Sequence, residues 1–198
     1  MREDGDARRL AVLDVGPFIQ TQLMAERLDG AVLETLGFVG HPAADRHSPL
    51  DLNELVDPTV MPEIGPYDLI VLAEVIEHLY TAPELVLEGL ASRLSPVGRL
   101  IVQTPNAIAL EKRMKLLLGR HPYERILPGR ENHFREYTVA ELVDAGRRAG
   151  LEPEGWIVRN YFDYEGLARR KRLVYDAICS IRPESLADGI TIWFGRSG

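Results

Sequence analysis

The chain has 198 residues, 45% of them hydrophobic and 27% charged, which suits one globular domain with a single sizeable core. Its net charge of -7 argues against a surface built to hold a long polyanion, and no apolar run approaches the roughly 20 residues that span a bilayer. The lone Cys179 excludes an intramolecular disulfide and a cysteine zinc site, and the charged start over residues 1–9 has no signal-type apolar segment, so a cytoplasmic protein without a membrane partner is expected.

Leu10 to Val15 reads as a first strand, and Gln20 to Leu28 as a helix with Leu23, Met24 and Leu28 as its inward stripe. Ala31 to Leu36, containing Glu34, reads as a second strand. Residues 37–48 offer turns more than a helix. Asp51 or Asn53 then suits the cap of a short helix near Glu54, and 56–66 reads as a loop.

Residues 67–106 form the clearest unit: a buried strand over Leu69 to Ala73, an acidic turn ending in Glu77-His78, a helix opened by Pro83 and Glu84, and a second strand over Arg99 to Gln103. Ser95-Pro96 and Gly98 suit the exit from that helix. Glu74, Glu77 and His78 thus lie just past a strand's carboxyl end, the edge at which open α/β sheets bind ligands.

Ala107 to Leu118 has helical spacing and Gly119 can end it, while 120–132 lacks a period, so 107–137 reads as a cover over the site. Thr138 caps a helix running to Ala149, with Glu141 in the box position and Gly150 closing it. A strand over 154–161, a helix over 167–181 and a last strand over 189–195 complete the chain. Lys112, Arg113, Lys115, Arg120, Arg125, Arg130 and Arg135 form one basic cluster that suits a phosphate-bearing substrate; Arg169-Arg170-Lys171-Arg172 reads as a solvated helix face.

The ordered blocks AVLDVG, YDLIVLAEVIEHL, LSPVGRLIVQTPN and HFREYTVAELVDAGRRAGLEP resemble the class I S-adenosylmethionine-dependent methyltransferases, in particular their small-molecule and glycan-tailoring groups. The resemblance covers roughly residues 9 to 158. It implies a Rossmann-like α/β fold in one domain over 1–198, with a seven-stranded, mainly parallel sheet whose last strand is antiparallel and helices on both faces. S-adenosyl-L-methionine is the implied cofactor, and a small molecule or sugar-like compound the implied acceptor.

Carried over residue by residue, the resemblance places Asp14 and Gly16 at the cofactor's methionine end, Glu34 at the ribose, Asp51 and Leu52 at the adenine, and Glu74 beside them. The family's D-x-G-x-G-x-G loop is here Asp14-Val15-Gly16-Pro17-Phe18-Ile19-Gln20, so a benzyl group stands at the second glycine position and proline removes a backbone donor. A non-catalytic relative that binds or dimerises is therefore a rival reading. The long N-terminal helical cover of many relatives is missing, which leaves an open site or one completed by a second subunit in a homodimer.

His78 is the first choice of general base and His133 the second, since imidazole titrates near neutral pH. Glu77 either joins them, caps the next helix or pairs with Arg135. Arg113, Arg120, Tyr123, Arg135 and Tyr137 are the candidate acceptor contacts, against packing of the cover as the alternative for the tyrosines. No metal is expected. The E-x-x-E-H spacing of Glu74, Glu77 and His78 with distant His133 also resembles the metal-dependent RNA 3′-terminal 2′-O-methyltransferases, which stands as a third reading.

Overall fold

A computed structural model describes residues 8–123, 125–126, 132–161 and 169–197, the side chains of 169–172 excepted. Seven strands, β1 (Ala11–Val15), β2 (Val32–Gly37), β3 (Arg46–Pro49), β4 (Tyr67–Ala73), β5 (Leu94–Pro105), β6 (Leu151–Arg159) and β7 (Gly189–Arg196), form one sheet. The order is β3-β2-β1-β4-β5-β7-β6. Pairing is parallel from β3 through β5, and β7 runs antiparallel to both of its neighbours, as the sequence leads one to expect.

The central strands are apolar because helices cover them: Val12, Leu13, Val15, Ile70, Leu72, Leu100 and Val102 are all fully buried. Helix α1 (Ile19–Arg27) follows β1, α2 (Pro83–Ala91) and α3 (Leu110–Leu117) flank β5, and α4 (Val139–Arg148), α5 (Arg169–Cys179) and α6 (Pro183–Leu186) lie between β5 and β7 in the chain. In α2, Val86, Leu87 and Leu90 face the core. Helix α4 opens with the expected capping box of Thr138 and Glu141 and turns Leu142, Ala145 and Gly146 inward. A Cβ on Gly146 would sit 2.3 Å from Phe194 Cε1, so this helix rests on β7 with no space between them.

Several boundaries differ from the sequence expectation. Helix α1 does not turn Leu23 inward; it buries Thr21, whose hydroxyl donates to Asp14, and that bond sets the helix's rotation, leaving Met24 and Leu28 half-buried. Strand β5 begins at Leu94, so Ser95-Pro96 lies within a strand; the helix before it already ends at Ser92, whose Oγ donates to the Gly89 carbonyl (2.6 Å). Strand β6 begins at Leu151, three residues early, and holds Pro153 because it is an edge strand. Residues 167–168 of the predicted last helix, the side chains of Arg169 to Arg172, and residues 124 and 127–131 of the cover lie outside the described residues. Among the described residues no helix is long and apolar enough to cross a membrane.

Candidate active site

At the carboxyl ends of β1, β2 and β4 lies a cleft of about 800 Å³, within the range of small-molecule sites. Gly16, Phe18, Gly37, Phe38, Asp51, Leu52, Glu74, Val75, His78 and Gln103 line it. Its first turn is closed by a side chain rather than by glycines. Thr21 donates to Asp14 and accepts from the Phe18 amide (3.1 Å), while Gln20 Nε2 donates to the Gly16 carbonyl (3.1 Å). Only one glycine is required here: Gly16 has φ +70°, and a Cβ on it would lie 2.4 Å from Val75 Cγ2.

The bulky substitution in this turn does not fill the cleft. Phe18 is 73% exposed at the N-cap of α1. Asp14 is fully buried and does not line the cleft; it holds the turn from behind, with burial pushing its carboxyl above the usual range against the pull of its Thr21 and Gln20 bonds.

Glu34 does not reach the cleft. It sits three residues short of the end of β2, takes the Tyr67 hydroxyl (2.7 Å) and faces Arg46 at 3.9 Å. Phe38 and Val39 stand at the strand's end instead, so β2 brings no carboxylate to the cleft. Beyond β3, Asp51 Oδ1 accepts the Asn53 amide (2.9 Å) and the Asn53 Nδ2 (3.0 Å), capping a 3-10 turn over Leu52–Val56. Asp51 thus fills the capping role and lines the cleft, with Leu52 beside it.

After β4 the backbone makes an uncommon turn, with Glu74 at φ +55°. Its amide donates to the Gln103 carbonyl (3.0 Å), and Gln103 Nε2 donates to its carboxylate (3.3 Å). Burial, and then the charge of Glu77, push Glu74 up to about 8. Glu77 is fully buried and raised by that burial; Thr104 Oγ1 donates to its Oε2 (2.9 Å), while Oε1 has no partner.

The Glu77 carbonyl accepts the amides of Phe134 (2.7 Å) and Arg135 (3.3 Å), and so draws the distant His133–Tyr137 block onto this turn. The rings of His78 and His133 consequently meet edge to face, centroids 4.8 Å apart. His78 Nδ1 is buried without a partner. His133 Nδ1 pairs with Glu136 Oε1 (3.1 Å), which raises the imidazole's pKa, and Glu136 is itself held by Lys112. Ligand atoms of Glu77, His78 and His133 lie within 4.8 Å of one another. Two imidazoles and a buried carboxylate beside a ligand-sized cleft suit proton transfer or the binding of a cation.

Tyr80 and Phe134, packed edge to face at 5.8 Å, separate this cleft from a second groove of about 670 Å³ between the starts of α2 and α4. Arg135 and Tyr137 line the groove, with the guanidinium 5.8 Å from the ring centroid. Arg135 is neutralised by Glu141 (2.6 Å) and Arg148 by Asp144 (2.9 Å). Arg113, Arg120 and Tyr123 line neither cavity: Arg113 Nε donates to the Ile108 carbonyl (2.8 Å), Arg120 is exposed beyond α3, and Tyr123 packs by Lys112. Tyr80 and Thr21 escaped sequence reasoning, and Phe134 and Glu136 entered it only as members of the His133–Tyr137 block. Only the H-x-x-E spacing of His133 and Glu136 offered a signal.

A family profile described as a methyltransferase domain matches residues 10–155. No curated protein sequence matches significantly. Among solved structures, the chain is similar to Burkholderia thailandensis 1,6-didemethyltoxoflavin-N1-methyltransferase with bound 1,6-didemethyltoxoflavin and S-adenosylhomocysteine (16% identity, TM-score 0.57, covering 96% of this chain and 72% of that one). It is also similar to a SAM-dependent methyltransferase from Methanosarcina mazei (11%, 0.60, 95% and 92%). A third is magnesium protoporphyrin IX methyltransferase from Synechocystis with bound SAH (14%, 0.56, 98% and 77%). At these identities the likeness is one of fold.

Proposed function

Because the chain belongs to the methyltransferase domain family, we propose that it is an S-adenosylmethionine-dependent methyltransferase acting on a small-molecule or sugar-like acceptor. The observation that carries this reading is the open cleft of about 800 Å³ at the sheet's carboxyl edge, with Asp51 and Leu52 on its wall and His78 facing it. Two of the structural neighbours bear S-adenosylhomocysteine, and both are named for small-molecule acceptors.

The residues present fit that cofactor. Asp51 bonds Asn53 only through Oδ1, so Oδ2 is free to accept from an adenine amino group, and Leu50 and Leu52 supply apolar walls for a planar base. Gly16 allows the backbone to approach its ligand closely. When bound, S-adenosylmethionine supplies an electrophilic methyl group on a sulfonium. His78 then takes the acceptor's proton, and His133 is kept in place by Glu136 and Lys112. The acceptor approaches along the groove beyond Tyr80 and Phe134. Both groove arginines are neutralised there and Glu84 adds a carboxylate, so an uncharged polyhydroxylated acceptor suits it better than a phosphate. We place the enzyme in the cytoplasm, with a homodimer as the assembly that would complete its open rim.

Calorimetry with S-adenosylhomocysteine tests this reading. Wild-type protein should bind it, and Asp51→Ala should weaken binding by about tenfold, the worth of one or two hydrogen bonds. No binding at all would favour the rival, a non-catalytic module that keeps the fold.

One observation favours a second reading, a metal-dependent methyltransferase acting on a terminal ribose such as an RNA 3′ end. Glu77 Oε1 and His78 Nδ1 are buried without partners, and Glu136 backs His133 as carboxylates commonly back metal-bound histidines. Those three residues would hold a divalent ion. The first reading expects turnover unchanged by a chelator; loss on chelation with recovery in magnesium or manganese would establish the second.

A further inference from the structure

Helix α3 is packed with its polar side inward. Lys112 donates to the Asn106 carbonyl (2.9 Å) and pairs with buried Glu136. Met114, Leu117 and Leu118, spaced i, i+3 and i+4, make an apolar stripe on the opposite side. That stripe faces solvent: Leu117 is 80% and Leu118 69% exposed, Leu116 is exposed next to them, and no residue of the helix is buried. A surface helix ordinarily turns such a stripe to the core, so one turned outward marks a contact surface.

Charge selects the occupant. Residues 110–126 hold five cations, Lys112, Arg113, Lys115, Arg120 and Arg125, against Glu111 and Glu124, a local reversal of sign in a chain of net charge -7. Lys112 and Lys115 are already paired, with Glu136 and Glu111, whereas Arg113, on the helix, and Arg120 and Arg125, in the segment after it, are exposed. A second copy meeting this face about a twofold axis would bring two sets of these arginines into one interface, with like charges gathered around the stripe. A nucleic acid would satisfy the arginines and leave the leucines in water. A bilayer with anionic headgroups satisfies both, taking leucines at the acyl boundary and arginines at the phosphates.

We propose that the outer face of α3 docks the protein reversibly on an anionic lipid bilayer. Only four residues separate the end of β5 from the start of the helix, so docking brings the cleft's edge of the sheet towards the lipid surface. This does not depend on methyl transfer.

Co-sedimentation of the full chain with phosphatidylcholine vesicles, with and without about one third phosphatidylglycerol, tests it. Binding to the anionic vesicles should exceed that to neutral ones by about tenfold or more, and molar salt should abolish the difference. The Leu117→Glu/Leu118→Glu double variant should lose binding, and Leu117→Lys, which adds a cation while removing apolar surface, should weaken it. Both variants should keep wild-type affinity for S-adenosylhomocysteine, since neither position lines the cleft. The proposal falls if wild-type protein ignores anionic vesicles, if the double variant binds them equally well, or if sedimentation reveals a dimer that the double variant dissolves, which would give the face to a second copy.

Discussion

Gly16→Ala should lower the stability of the fold by about 2–4 kcal/mol and weaken S-adenosylhomocysteine binding by at least roughly tenfold. Two costs add at this position. Alanine at φ +70° loses the freedom that glycine has in the left-handed region, and its methyl would press to 2.4 Å from Val75 Cγ2. The pressed residue is one that the cleft needs, because Val75 lines it and opens the turn carrying Glu77 and His78. Thermal unfolding and calorimetry would measure both losses. Adding Val75→Ala should restore the packing share and leave the backbone share; a single variant as stable as wild type would show that the turn has another conformation open to it.

His78→Ala should reduce turnover by about 10²- to 10⁴-fold while leaving the S-adenosylhomocysteine dissociation constant within about threefold. The imidazole stands on a 3-10 turn whose position is set by backbone bonds, among them His78 N to the Val75 carbonyl (2.9 Å), so truncation removes the ring and not the turn. Release of S-adenosylhomocysteine would be followed with whichever compound supports turnover in a panel of sugars and hydroxylated small molecules. Equal losses in turnover and cofactor affinity would assign His78 a structural part instead.

What could be read in the sequence was what depends on local signals. The strand over Leu69 to Ala73, the acidic turn after it and the Thr138–Glu141 capping box all appear where short-range pattern puts them, because buried strands and caps are specified within a few residues. What escaped depended on partners far along the chain. The rotation of α1 follows from one hydroxyl bonding a buried aspartate seven residues earlier, and neither residue's apolarity reports it. Glu34 is claimed by Tyr67, 33 residues away, so an acid at nearly the right spacing serves the sheet and not the cleft. His133 was legible as a candidate, but its approach to His78 required the Glu77 carbonyl to bind the amides of Phe134 and Arg135. Three described arginines of the cover misled for the opposite reason: sequence proximity groups Arg113, Arg120 and Arg125 with Arg135, yet only Arg135 lines a cavity.

The absence of a side chain at Gly146 lets α4 bear directly on the Phe194 ring. One jaw of the groove between α2 and α4 is thereby held fast, since any roll or slide of that helix would drive its backbone into an aromatic ring that is itself wedged in the core. If the groove takes the acceptor as proposed, selectivity among guests of different width would be tuned from the opposite jaw, where Tyr80 and Phe134 stand exposed. Widening the range of compounds that this groove admits would start with those two rings and leave the helix untouched.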